Sequence, residues 1–310
     1  MIRVTVIVQA RDAAATLPRT LAALADQEGA PSFEVVVADL GSGDETAAIA
    51  ERAGARLVPG GPNAAVASAS GALLAFCGED CTPAVGWLAA GTRALAAAEL
   101  VQGRVLPDPR AQPGPFHDAR AVTGQTGLYD TANLFTTRAL FERLGGFDPT
   151  PSEADGTGAN ALFVGPGVAF GWRAHRAGAR SAFCAEALSR RDPVPRDPLE
   201  YVEERTRLRL LPAAVAQVPE LRNTMLHRRL FLNRRTMKLD LALAGLAAAA
   251  ARRSTLPLIA AAPYALELRR HARERGRDDW KRVAAIDAAA DLLGALALLH
   301  GSVQARTPVL

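Results

Sequence analysis

Short apolar runs of strand length alternate with helical patterns over the first hundred residues, and this alternation constrains the fold more than any other feature. "VTVIV" (4–8), "FEVVVADL" (33–40), "ARLVPG" (55–60) and "GALLAF" (71–76) read as buried strands. "AATLPRTLAALADQ" (14–27) sets Leu17, Leu21 and Leu24 at helical spacing. "DETAAIAERAG" (44–54) reads as a helix with Asp44 as N-cap and Gly54 just past its end. "PAVGWLAAGTRALAAA" (83–98) reads as a helix with Pro in its first turn. Strands alternating with helices predict an α/β fold on a mostly parallel sheet. Ligands bind such sheets beyond the carboxyl ends of the strands. Function is therefore expected just after Val8, Val37 and Phe76.

Further along, "DPRAQPGPFHDARAVTGQTG" (108–127) is rich in Pro and Gly and predicts a long loop over the sheet. Strand, turn, helix and a Gly-Gly turn follow over 128–148, then a loop over 152–167 and a helix and strand over 168–188. A domain boundary is expected near the Pro-spaced "DPVPRDP" (192–198), and no internal repeat is present. We expect a sheet domain over 1–215 and a helical region over 216–310. The three cysteines, Cys77, Cys81 and Cys184, give no disulfide framework and point to a reducing compartment. The opening "MIRVTVIVQARD" has neither the basic start nor the long apolar core of a signal peptide. Lysine occurs only at Lys238 and Lys281 while Ala and Arg abound, a bias that fits a GC-rich bacterial genome.

Four stretches, in order, resemble the family 2 glycosyltransferases of the GT-A fold. These are "VTVIVQARDAAATLPRTLAAL", "EVVVADLGSGDET", "GGPNAAVASASGALLAFCGEDCTPAVGWL", and "TANLFTTRALFERLGGFD" followed by "VAFGWRAHRAGARSAFCAEAL". The resemblance covers roughly residues 3 to 215. It implies a nucleotide-sugar donor, a divalent cation (Mg or Mn), and inverting transfer to a hydroxyl. Such transfer needs a base for the acceptor's proton and positive charge to steady the leaving diphosphate. By resemblance, Asp39 stands where the nucleoside is held, and Asp80 where a carboxylate binds the metal directly. Gly78 replaces the other Asp of that Asp-x-Asp pair, and Gln9 the usual Pro of the first loop. Pro62 replaces an Arg that commonly precedes Asn63. Pro166 and Gly167 stand where a Glu-Asp pair supplies the base, and Arg191 where a His often follows the last strand. Scaffold positions match the family while several positions with chemical roles depart from it, so the site reads as degenerate.

Glu79, on the same turn as Asp80, is a candidate to share the cation. Glu153 and Asp155 are candidates to replace the base. Asn133 follows a strand and is a candidate for the donor or acceptor side, while Trp172 reads as packing. Asp39 has a plainer reading as a turn residue closing a strand, and Asp80 as a cap of the helix from Pro83. The Ser, His and Asp residues form no nucleophile elbow, and "GSG" (41–43) is too short for a dinucleotide fingerprint.

The C-terminal region differs in character. Residues 221–310 hold 16 Lys or Arg against 7 Asp or Glu, a net +9, whereas the rest holds 20 against 25, a net −5. Its apolar content is aliphatic, without the aromatics that interleave with basic residues in nucleic-acid binders, so nucleic acid is excluded as a partner. "YVEERTRLRLLPAAVAQVPELR" (201–222) reads as an amphipathic helix broken at Pro212. "LALAGLAAAAA" (241–251) and "TLPLIAAAPYALEL" (255–268) are each shorter than the about 20 residues of a bilayer span. Joining them would put Arg252 and Arg253 mid-span, at about 2.5–3.5 kcal/mol each. "VAAIDAAADLLGALALLHGSV" (283–303) is long enough, but Asp287 and Asp291 share one helical face. Three helices lying in an anionic membrane surface are predicted, peripheral or shallowly inserted, on the cytoplasmic face of the plasma membrane. A soluble helical cap or an oligomer interface is the plainer alternative.

Three functions stay open at this point. One is a glycosyltransferase with an eroded site acting on a cell-envelope or lipid-linked acceptor. Another is an inactive relative that binds a nucleotide, a glycan or a partner. The third is a helical membrane scaffold with a vestigial sheet domain.

Overall fold

A computed structural model describes residues 2–111, 114–117, 121–148, 165–194, 196–276 and 278–310. Two compact units emerge, Met1–Ala111 with Ala119–Pro193, and Gln112–Asp118 with Val194–Leu310.

The first unit is built on a mixed sheet. Its strands are β1 (Val4–Ala10), β2 (Phe33–Asp39), β3 (Arg56–Pro59), β4 (Leu73–Gly78), β5 (Cys81–Pro83), β6 (Leu100–Pro107), β7 (Asn133–Thr137) and β8 (Ser181–Arg191). Their order across the sheet is β3-β2-β1-β4-β7-β6-β8-β5. β3, β2, β1 and β4 run parallel, as the alternation predicts, and β7 enters antiparallel between β4 and β6. The helices are α1 (Leu17–Ala25), α2 (Thr46–Arg52), α3 (Pro62–Ser68), α4 (Trp87–Ala94), α5 (Arg138–Arg143) and α6 (Pro166–Arg176). Leu17, Leu21 and Leu24 of α1 are buried with the sheet residues Val4, Val6, Val8 and Val37 in one apolar cluster. Removing that much apolar surface from water is the main favourable term in forming this layer. Phe76, Phe141, Phe147 and Phe170 form a second, aromatic contact set with ring centroids 4.9–5.8 Å apart.

Two local expectations fail. Glu45, not Asp44, is the N-cap position of α2, and Asp44 instead accepts from the Ala14 and Thr46 amides. Pro83 belongs to strand β5, and the helix starts only at Trp87, so Asp80 caps no helix. β5 is three residues long and is held by antiparallel pairing with β8, more than a hundred residues away. Local pattern carries no trace of that pairing. Gly54 does follow the end of α2 with φ +74°, as its C-terminal role requires.

The second unit is helical: α7 (Pro198–Glu203), α8 (Leu211–Gln217), α9 (Leu221–Thr224), α10 (Arg234–Arg252), α11 (Ala262–Arg275) and α12 (Trp280–Ala305). Pro212 sits in the first turn of α8, so it begins a helix where a break was expected, and a 3-10 stretch at Glu204–Leu210 makes the break. α12 reverses the usual amphipathic arrangement. Asp287, Ala290, Gly294, Ala297, Leu298 and Gly301 are buried, while Leu292, Leu296, Leu299 and Val303 are exposed. Buried Asp287 and half-buried Asp291 sit in a network that leaves Asp287 Oδ2 without a hydrogen bond, 3.6 Å from Arg235 NH2. Arg235 Nε donates to Asp291 Oδ2 at 2.6 Å, and Tyr264 donates to the same oxygen at 2.8 Å. Tyr201 and Arg275 donate to Asp287 Oδ1 at 3.0 and 3.3 Å. Gly301 lets the backbone of Arg209 approach so closely that a Cβ there would lie 2.0 Å from its carbonyl oxygen.

Candidate active site at the carboxyl ends of the strands

Strand register alone brings the key positions together. In the parallel ladders Ala10 of β1 lies opposite Asp39 of β2, and Gln9 opposite Gly78 of β4. Asp39 and the turn Glu79–Asp80 therefore flank the end of β1 on its two sides.

The loops leaving β1 and β2 are fastened to each other. Asp39 Oδ1 accepts from the Ser42 amide at 3.1 Å and its hydroxyl at 2.6 Å, so the plainer reading of Asp39 as a turn-closing residue is present in the geometry. Ser42 Oγ also accepts from the Asp12 amide at 3.0 Å, and Asp12 Oδ1 accepts from the Gly43 amide at 2.8 Å. Asp44 accepts from the Ala14 amide at 2.9 Å and from the amide and hydroxyl of Thr46. Asp39 remains half-buried, with Oδ1 spent on the turn.

On the other side, Thr20 of α1 pins the acidic turn, its hydroxyl lying 2.7 Å from the carbonyls of both Glu79 and Cys81. Asp80 is buried. Its Oδ2 accepts from Arg191 Nε at 2.8 Å, and the Cys81 thiol lies 3.5 Å from its Oδ1. This meeting follows from the sheet. Cys81 is the register partner of Arg191, and the Asp192 amide donates to the Asp80 carbonyl at 3.2 Å. Arg191 NH1 stands 3.9 Å from Asp130 Oδ2, so one guanidinium faces two carboxylates. Burial works against its charge, but Asp80, Cys81 and Asp130 outweigh that and raise its pKa. Arg19 of α1 completes the cluster with an ion pair to Asp192 and lies 4.0 Å from Asp108. Burial pushes the Glu79 carboxyl up to about 7, with the charge of Asp80 adding to the effect.

These residues are not arranged as a divalent-cation site. Among the described residues no group of three His, Cys, Asp or Glu side chains is spaced to hold a metal. Position 78 offers no carboxylate, and a Cβ there would lie 2.9 Å from Asp80 Oδ1 and 3.1 Å from Cys81 Sγ. Asp80 itself is bonded to a guanidinium.

Asn133 is fully buried, and its amide knits the sheet. Oδ1 accepts from Trp87 Nε1 at 2.8 Å, and Nδ2 donates to the carbonyls of Arg104 and Ala187 at 2.9 and 2.8 Å. It fills the register break between β6 and β8 at Gly103 and Arg104, where a Cβ on Gly103 would lie 2.1 Å from its Oδ1. Pro166 and Gly167 open α6, and a Cβ on Gly167 would lie 1.9 Å from the Tyr129 carbonyl oxygen. Trp172 packs as expected, donating to the Gly127 carbonyl at 2.9 Å and meeting Tyr129 edge to face. Glu153 and Asp155 lie outside the described residues. Sequence reasoning noted Arg191 only as a departure from a family His after the last strand and did not name Asp130, so neither was singled out as a site residue. A separate cleft of about 440 Å³, lined by Leu21, Phe33, Glu34, Ala53 and Arg56, opens at the amino end of β2, away from this cluster.

Comparison with known proteins agrees with this architecture. The chain is similar in structure to a mannosyltransferase from Pyrobaculum calidifontis in complex with GDP-Man and Mn2+. The TM-score is 0.61 and identity 21%, with 94% of this chain and 87% of that chain covered. A likeness at that identity speaks for the fold. S. aureus TarS 1-349 in complex with UDP-GlcNAc aligns with a TM-score of 0.49 and 15% identity, over 99% of this chain and 93% of that chain. No curated protein matches the chain. The profile for glycosyl transferase family 2 matches residues 5–163, just over half of the chain, so the chain, with its GT-A sheet, belongs to glycosyl transferase family 2.

Proposed function

We propose that this protein binds a nucleoside-diphosphate sugar at the carboxyl ends of β1, β2 and β4 and transfers the sugar to a hydroxyl of a cell-envelope or lipid-linked acceptor. The observation that carries this reading is the register that sets Asp39 and the Glu79–Asp80 turn on either side of β1. Asp39 would receive the nucleoside, and the Asp80–Arg191 cluster the diphosphate. The structural neighbours support the donor class, since they hold GDP-Man or UDP-GlcNAc. In transfer, the acceptor oxygen bonds to the anomeric carbon as the bond to the diphosphate oxygen breaks, with inversion. The acceptor's proton passes to a base, for which Glu153 and Asp155 are the proposed groups. A divalent cation, Mg or Mn, would have to draw on Asp80 and Glu79.

The close approach of Tyr129 to Gly167 favours a second reading, a relative that binds donor without turning it over, because no side chain fits there. Calorimetry with UDP, GDP and dTDP tests the donor site. At least one should bind, and Asp39→Asn, which keeps an acceptor for Ser42, should weaken that binding by about fivefold or more. If none binds at millimolar concentration, the donor reading is wrong. Donor hydrolysis then separates the two readings: turnover that Glu153→Gln or Asp155→Asn abolishes identifies the enzyme.

The second unit serves, in this proposal, as a peripheral anchor on the cytoplasmic face of an anionic membrane. Exposed Leu292, Leu296, Leu299 and Val303 of α12, and exposed Leu256 and Ile259, support it together with the +9 charge of residues 221–310. α12 alone among the described helices is long and apolar enough to cross a bilayer. Its two networked carboxylates argue for a helix lying at the surface instead.

A further inference from the structure

We infer that the Arg191 guanidinium does the work of the divalent cation in this chain, so that nucleoside-diphosphate binding is independent of metal. The inference rests on the donor reading above and specifies its diphosphate end.

Charge comes first. Two carboxylates and a divalent cation sum to zero, and so do one carboxylate and one guanidinium. With Gly78 in the chain, Asp80 and Arg191 form such a neutral pair without a metal, and Asp130 stands further off, 3.9 Å from NH1. Geometry agrees with the count. A cation would need Asp80 oxygens at about 2.0–2.6 Å, yet Oδ2 holds Arg191 at 2.8 Å and Oδ1 faces the Cys81 thiol at 3.5 Å. Both partners are fixed by backbone pairing. Arg191 is in register with Cys81 and with Pro107, and its carbonyl accepts from the Asp108 amide at 2.9 Å. Among the described residues only Nε is in a hydrogen bond, since NH1 stands 3.9 Å from Asp130, beyond that reach. The fork of NH1 and NH2 therefore keeps donors for phosphate oxygens, the chemistry at which Arg excels. The side chain is 13% exposed, so the fork is not sealed off.

The two roles for Asp80 predict opposite signs. If Asp80 ligates a metal, Asp80→Asn destroys nucleotide binding. If it neutralises Arg191, the same change frees the guanidinium, and UDP or GDP binds as well or more tightly. The full-length protein is titrated with UDP and GDP by calorimetry, in a chelator and then with Mn2+. The expected dissociation constants in the two conditions agree within about threefold. Asp80→Asn should hold or tighten binding in chelator. The double variant Asp80→Asn with Arg191→Gln removes both charges without stranding either, and should weaken it by about tenfold or more. Binding that appears only with Mn2+, or is lost in Asp80→Asn, overturns the inference and leaves the donor site standing. So does cation-free binding that the double variant leaves unchanged. Failure of both nucleotides in every condition overturns the donor reading and this inference together.

Discussion

Tyr129 holds φ +42°, a left-handed conformation that a bulky residue rarely adopts. The α6 surface explains its placement. Gly167 admits the Tyr129 carbonyl and Gly171 its ring, where a Cβ would lie 2.1 Å from Cδ2. Gly167→Ala should destabilise the protein by about 1–3 kcal/mol through overpacking, read as a lower midpoint of denaturant unfolding. An unchanged midpoint would show that the helix yields freely. For the same reason Gly167→Asp should destabilise rather than restore a base. The motif pattern shows that Gly167 lacks a carboxylate. That a neighbouring backbone fills the space is decided by a turn 38 residues upstream, which local sequence does not encode.

Individual elements were legible to the degree that their own sequence decides them. β1, β2, β4 and α1 announce themselves through β-branched runs and leucine spacing. β5, the register break filled by Asn133, and the Asp80–Arg191 pair were not legible, because each depends on a partner strand far away in the chain. The same holds for α11, whose pattern says little about His271. Burial lowers the pKa of His271, with Arg235 and Arg275 adding to this and Asp287 and Glu274 opposing it. Its folded-state pKa lies below the unfolded value near 6.5, so its neutral form is favoured by folding. That contribution is present above about pH 6.5 and is lost as pH falls through the lowered value. Thermal unfolding should show stability falling as pH drops below about 6.5, and His271→Gln should flatten that slope. An equal slope in the variant would assign the acid sensitivity elsewhere.

At the scale of the whole molecule, charge and apolar surface are both biased toward the C-terminal region. Exposing Leu256, Ile259, Leu296 and Leu299 to water forgoes about 1.5–3 kcal/mol for each side chain that a bilayer surface would bury. Each nearby basic residue adds about 1 kcal/mol on anionic lipid. The protein should float with phosphatidylserine vesicles. Changing these four residues to Glu should abolish flotation while leaving thermal stability near the parent value, because none is in the core. Flotation undiminished by the four changes would place the membrane contact on another surface or remove it. The Asp80–Arg191 pair has a consequence for how this sequence is connected to others. Gly78→Asp alone crowds Asp80 and sets a second carboxylate beside it. Arg191→His alone leaves a buried carboxylate without its partner. Each single step leaves a charge or a contact unmatched, so exchanging the pair for two carboxylates calls for both substitutions together.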